Sequence, residues 1–449
     1  MQDVLGWGRA WVGAAAKAGR VELMQRLAAR FPRTQHSEPG LLVQVAFGCP
    51  LAALQQYYEP WGTGLLQGIE PKLGLLLAAA GSPTPDWAAK CDWLWARWGA
   101  AAAAFRIYST RVDSEAIAAI MQHSDFSQRL HLLASRGLGS CLEGHAPTAA
   151  GALGSTAAVE FCLDQLPALL RQQAAAPFGA AGGGGPLPAE DPAAQQQVND
   201  FMELIALAAA EQGHVAVLRL LRGRGFVFRA RHVRAALEEW AQENVATLRY
   251  LLLEDPADLA QGDGAAAADW STLFRDAAFK GADLPALRHL HEQLGAAIKL
   301  VEVAIGGGEE ALSWAVAALE AAGQAPAPLS CDEFGSVLSS DNWAAADWLV
   351  RHGLAPAKQE LLRHMLSEKY ALIPDLQWVV GKGQDGVQAS AQHVQWTAEL
   401  RAALVRMQHK YGIVSETPCR RQWLAELVGA VTVELAATAG GPPRAGQQG

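Results

Sequence analysis

HVAVLRLLRGRGF (214–226) returns thirty residues later as NVATLRYLLLEDP (244–256). Val215, Ala216, Leu218, Arg219 and Leu221 reappear as Val245, Ala246, Leu248, Arg249 and Leu251, with the bulkier Tyr250 in the place of Leu220. Val215, Leu218 and Leu221 make one apolar stripe of a short helix. Gly225, four residues beyond Leu221, is placed to end that helix in the left-handed conformation.

The frame spreads outward from this pair. SDNWAAADWLVRHG (340–353) and IPDLQWVVGKG (373–383) carry Trp348 and Trp378 where Leu220 stands, and Gly323, Gly353 and Gly383 are spaced by thirty. A longer variant links GCPLAALQQYYEPWG (48–62) to GADLPALRHLHEQLG (281–295), and weaker copies cover 14–31, 87–99, 126–137 and 155–166. Upstream of each copy lies a second helical stretch, such as RHVRAALEEWAQE (231–243). The unit is therefore helix, turn, helix and Gly-bearing loop. One such pair cannot bury its own apolar face, whereas stacked neighbours can. The expected fold is all-α: a helix-pair repeat solenoid.

ALAAAEQGHVAVLRLLRGRG (206–225), DAAFKGADLPALRHLHEQLG (276–295) and AAAKAGRVELMQRLAAR (14–30) resemble the second half of an ankyrin repeat. Each has helix-one alanines, a Gly-led turn, then a Leu-bearing helix. The family's opening T-P-L-H is absent, and a thirty-residue period leaves little chain for a projecting β-turn finger. The resemblance is to a degenerate ankyrin-like array, and it implies a scaffold or adaptor that holds another protein.

Low-complexity chain suggests the boundaries. RQQAAAPFGAAGGGGPLPAEDPAAQQQ (171–197) reads as a Gly/Pro/Gln linker over 171–199, separating repeats at 1–170 from repeats at 200–386. LEDPADLAQGDGAAAADW (253–270) reads as a second, acidic loop. Capping helices are expected across 387–438 and a disordered tail at 439–449.

At 449 residues, 51% hydrophobic and 18% charged, the chain is too apolar for general disorder and too long for one compact core. Its apolar content is rich in Ala and Leu, which favour helix. A net charge of −9 argues against nucleic acid as a general partner. Six scattered cysteines without C-x-x-C read as reduced, buried thiols. No run reaches the ~18 apolar residues of a membrane span. The N-terminal stretch has an early Asp3 and no long apolar core, so a cytoplasmic or nuclear location is expected, with an Ala/Arg-bearing transit peptide the other possibility.

No catalytic constellation, metal site or cofactor site is evident. HLHEQLG (289–295) lacks the second histidine of H-E-x-x-H, because position 295 is Gly. GKG (381–383) lacks the glycine spacing of a phosphate loop, and Gly182–Gly185 lead into Pro186. Two features suggest binding. RLLRGRGFVFRARHVR (219–234) presents Arg222, Arg224, Arg229, Arg231 and Arg234 around Phe226 and Phe228, suited to an acidic segment of a partner protein. Its alternative is a solvated loop neutralised by the acidic residues of 254–269. Trp95 and Trp98 lie off the core position of the repeat and are expected to be exposed anchors, whereas Trp93, Trp348 and Trp378 are expected to pack between repeats. The expected function is a non-catalytic interaction scaffold. The alternatives are an enzyme or small-molecule binder with an unseen pocket, and an RNA-binding helical repeat.

Overall fold

The structure, a computed structural model, describes residues 2–31, 39–62, 66, 68–99, 114–175, 192–238, 244–254, 270–367, 373–381, 394–411 and 418–439. Every regular element among them is helical. None of these helices is long and apolar enough to cross a membrane.

The chain divides into two compact units, Met1–Ala267 and Ala268–Gly449. In the first unit, the helices Gln2–Lys17, Pro39–Gly48, Ile69–Ala80, Ser114–Met121, Gly139–Leu153, Pro192–Glu211 and Ala230–Glu238 pack each on the next in chain order. Each carries a second helix beside it: Val21–Arg30, Leu51–Gly62, Trp87–Trp98, Phe126–Ser135, Thr156–Asp164, Val215–Gly223 and Asn244–Arg249. In the second unit the successive first helices are Trp270–Phe279, Leu300–Gly306, Cys331–Ser339, Lys358–Ser367 and Ala398–Tyr411. Their companions are Leu284–Glu292, Glu309–Ala321, Trp343–Arg351, Ile373–Gly381 and Pro418–Ala439.

The unit boundary falls elsewhere than the linker expected at 171–199. Helix continues to Ala175 and resumes at Pro192, and residues 176–191 lie outside the described chain. The first helices of the pairs before and after that stretch, Gly139–Leu153 and Pro192–Glu211, pack directly together. Small residues permit this: a Cβ on Gly151 would sit 2.5 Å from the Ile205 carbonyl and 3.1 Å from Ala208 Cβ. The acidic loop at 255–269, Gly383 and the tail at 440–449 also lie outside the described residues.

The repeat that opened the reading takes two forms. Val215–Gly223 buries Val217, Leu218 and Leu221 and leaves Val215 half-buried, and Gly225, with φ 85°, follows just beyond its end. Its counterpart keeps α-helix through Arg249 and then widens into a π-helix over Tyr250–Glu254. The wider turn buries Tyr250, Leu251 and Leu252 in succession. Some of the turns between paired helices use a left-handed residue, supplied by Gly213 at φ 82° and, in the 331–351 pair, by Asp341 at φ 57°.

Of the three tryptophans expected between repeats, Trp348 is buried. Trp93 is half-buried and edge-on to Tyr58 of the preceding pair. Trp378 is half-buried, donates from Nε1 to Asp347 Oδ1 at 3.2 Å, and stacks near Trp343.

Candidate functional site

Two short stretches share a pattern: Asp86-Trp87-x-x-Lys90 and Asp125-Phe126-x-x-Arg129. In both, the aspartate precedes the second helix of a pair, and the cation lies one turn inside it. At an exposed helix face this would be an ordinary i,i+4 ion pair. Here the cations are buried, Lys90 at 0% exposure and Arg129 at 4%.

Lys90 Nζ donates to the Ala46 carbonyl at 3.0 Å, Ser82 Oγ at 2.8 Å and Thr84 Oγ1 at 2.8 Å, with Asp86 Oδ1 at 3.7 Å. Burial pulls the ammonium pKa down, and Asp86 draws it partly back. Burial raises the Asp86 carboxyl, but bonds from Thr84 and the Leu51 N–H outweigh it and hold that pKa low. Arg129 Nη1 donates to the carbonyls of Ala80 and Ser82 at 2.6 and 2.7 Å, and its Nε meets Asp125 Oδ1 at 2.7 Å. Its guanidinium lies 4.7 Å from the Trp87 ring centroid.

The Ser82–Lys90 contact brings together a hydroxyl and an amine, the elements of an activated nucleophile. Their bonding makes them a clamp instead. All three ammonium protons have acceptors, Ser82 donates its own proton to the Phe47 carbonyl at 2.5 Å, and both side chains are sealed from solvent.

The same arrangement recurs with other donors. Cys49 Sγ reaches the Ala16 carbonyl at 3.4 Å, and His214 Nε2 reaches that of Ala152 at 2.8 Å. Asn244 Nδ2 donates to Glu211 at 3.0 Å, and Asn342 Nδ2 to Ala304 and Gly307 at 3.0 and 2.8 Å. Each acceptor lies in or directly after the last turn of a first helix, and each donor comes from the following pair. The last carbonyls of an α-helix have no partner within it, and their dipole favours cations. At these six rungs, therefore, a pair caps the helix end of its predecessor.

The arginines of the 219–234 stretch are spread over several environments. Arg224 makes a two-bond contact with Asp164, at 2.6 and 3.0 Å, sixty residues upstream. Arg231 pairs with Glu203 at 2.6 Å, and Arg219 with Glu254 at 2.9 Å. Arg222 is half-buried and donates to the Phe226 carbonyl at 3.3 Å. Arg229 and Arg234 are exposed. Phe226 and Phe228 are buried, edge-on to His232, and Phe228 also meets Tyr250. The aromatic residues between the arginines are therefore core, and only Val227 of that loop is an exposed large hydrophobic, at 43%. His232, itself buried, lies 3.3 Å from Glu203 Oε1. Burial raises the Glu203 carboxyl, but His232 and Arg231 outweigh it and hold the pKa low.

Arg224–Asp164 belongs to a series that the sequence spacing did not reveal. Arg97 meets Glu59, Arg136 meets Asp92 at 2.6 Å, and Arg351 meets Glu309 at 2.6 Å. Each arginine stands near the end of a second helix, and each acid belongs to the second helix of the preceding pair. These contacts are open to solvent, so each contributes roughly 0.2–1 kcal/mol. A double-mutant cycle of Arg224→Ala and Asp164→Ala, followed by urea unfolding, is expected to give coupling below about 1 kcal/mol. Coupling of several kcal/mol would make Arg224 a buried staple rather than a surface latch.

Trp98 is the clearest departure from expectation. It is 8% exposed, and its Nε1 donates to Tyr58 Oη at 2.7 Å. That bond satisfies the indole and lets the ring enter the core. Trp95 is half-buried, with the Arg136 guanidinium 5.6 Å from its ring centroid.

Among the described residues no group of three His, Cys, Asp or Glu could hold a metal ion. His291 is turned to the Ala296 carbonyl at 2.8 Å, and burial lowers the pKa of His289. Burial raises the thiols of Cys49, Cys91, Cys141 and Cys162, those of Cys91 and Cys141 to about 12. Such thiols stay protonated and unreactive at neutral pH. A shallow, open depression is lined by Gly19, Arg20, Val21, Glu22, Leu23 and Arg26. No family model, curated protein or solved structure matches the chain.

Proposed function

We propose that the chain is a non-catalytic scaffold, a degenerate ankyrin-like helix-pair solenoid whose outer surface holds another protein in the cytoplasm or nucleus. The observation that supports this reading is the chain-order packing of first helices within each compact unit, with six of the pairs capping the helix end of the one before. Elements stacked this way commit their inner faces to one another and leave a long outer face for a partner. Residues that could have formed a reactive centre, Ser82 with Lys90, are spent on that stacking.

The arginine edge enters this reading in narrowed form. Arg224 and Arg231 lie against Asp164 and Glu203, and Arg229, Arg234 and Val227 are exposed at the loop leading into Ala230–Glu238. An acidic segment with an apolar side chain is the matching partner. The test is affinity capture on the full chain at low and moderate salt, beside an Arg229→Glu/Arg234→Glu variant of unchanged helicity. A defined protein retained by the parent chain and lost on charge reversal is the expected result. Equal retention by both would remove this edge from the account. Retention of RNA alone, falling steeply with salt, would favour the nucleic-acid reading.

A further inference from the structure

One rung of the capping series carries the wrong kind of group. Elsewhere the side chain that meets the end of the preceding first helix is a donor: Lys90, Arg129, His214, Asn244 or Asn342. At the end of Cys331–Ser339 it is Asp375, from the Ile373–Gly381 helix. Asp375 is only 4% exposed and accepts a long hydrogen bond from Ser339 Oγ at 3.4 Å. A helix C-terminus carries partial negative charge, which disfavours a carboxylate there. Asp341 adds a second carboxylate from the adjoining turn, where it holds a left-handed φ of 57°.

Among the described residues, no cation contributes to the shift at Asp375. Asp347 of Trp343–Arg351 accepts from Trp378. On Lys358–Ser367, His364 lies 2.8 Å from Asp332, and none of Lys358, Glu360 or Arg363 contributes to the shift at Asp375.

We propose that Asp375 is a proton-operated latch, which seats Ile373–Gly381 against Cys331–Ser339 when protonated and loosens that seat when ionised. Release would bare Ile373, Leu376 and Val379, all buried in the closed state. The latch is thus a device for exposing apolar surface as pH rises. The direction follows from linkage. Burial, opposed by the Ser339 bond and reinforced by Asp341, raises the Asp375 pKa to about 6. The closed state therefore binds the extra proton. Its stabilisation is complete below the ordinary carboxyl value near 4 and is lost as pH rises through 6.

The test is amide hydrogen exchange of the full chain at several pH values between 4 and 8, corrected for intrinsic exchange rates. Peptides over 373–381 are expected to lose protection on the order of 100-fold across that range, from tenfold per pKa unit. Peptides over Trp270–Phe279 should not follow. In Asp375→Asn the protection should be independent of pH, and in Asp341→Asn the fall should move to lower pH. Unchanged protection of 373–381 in the parent chain overturns the proposal, and that arm requires no variant to fold. The same pH-dependent fall in Asp375→Asn overturns it too.

Discussion

Lys90→Met is expected to destabilise the Met1–Ala267 unit by roughly 3–5 kcal/mol, the cost of removing one partner from a buried polar cluster. Methionine matches the stem of lysine in length, so the loss comes from what it leaves behind. The Ala46 carbonyl, Ser82, Thr84 and the partly buried Asp86 would all lose the same donor. A buried polar group left without its partner costs about 1–3 kcal/mol, more if charged. Urea unfolding followed by circular dichroism measures the effect. A companion variant, Ser82→Ala/Thr84→Val/Asp86→Asn/Lys90→Met, removes most of the stranded groups together and should recover part of the loss. If Lys90→Met alone lies within about 1 kcal/mol of the parent, the amine is not the keystone of that rung.

Gly306→Ala should be comparably damaging for a purely steric reason. A Cβ at Gly306 would stand 2.2 Å from the Ala278 carbonyl oxygen, 2.5 Å from that of Phe279 and 2.6 Å from the Gly281 nitrogen. All three are backbone atoms of the preceding pair and cannot turn aside as a side chain would. Overpacking typically costs 1–3 kcal/mol and exceeds that range where backbone must shift, so a loss of about 3 kcal/mol is expected. Gly48 shows the same crossing, with the Ala16 and Lys17 carbonyls 2.1 and 2.3 Å from its would-be Cβ. The control is Gly335→Ala, inside Cys331–Ser339 with nothing within 4 Å. There the better helix former should stabilise by about 0.5–1 kcal/mol. Opposite signs in thermal melts of the two variants would bear out the close crossing, and equal signs would refute it.

The helical class was legible because it depends on a repeated local pattern. Leu218 and Leu221, and the left-handed Gly225, need nothing beyond their own neighbours to be read correctly. The capping rungs were not legible, because an Asp86–Lys90 pair spaced i,i+4 looks the same whether the lysine points to water or to Ala46. Only the approach of the Pro39–Gly48 helix decides between them. Arg224 was misleading for a related reason: the acidic residues of 254–269 are near in sequence, but its partner is Asp164. Trp98 lay off the repeat position and still entered the core, since Tyr58 offered its indole a hydroxyl. Asp375 resembled any acidic residue in the first turn of a helix, where a carboxylate is normally welcome. Its burial against another helix's C-terminus reverses that preference.

The capping rungs also have a direction in time. In each one the acceptor carbonyl belongs to the earlier segment of chain and the donor to the later, from Ala16 with Cys49 to Ala304 with Asn342. On a ribosome a first helix therefore emerges with its end uncapped, and the cap arrives one pair later. No rung waits for a distant segment still to be made, so synthesis and closure proceed in the same sense. At tens of residues per rung and about 5–20 residues per second, each closes within seconds of its predecessor.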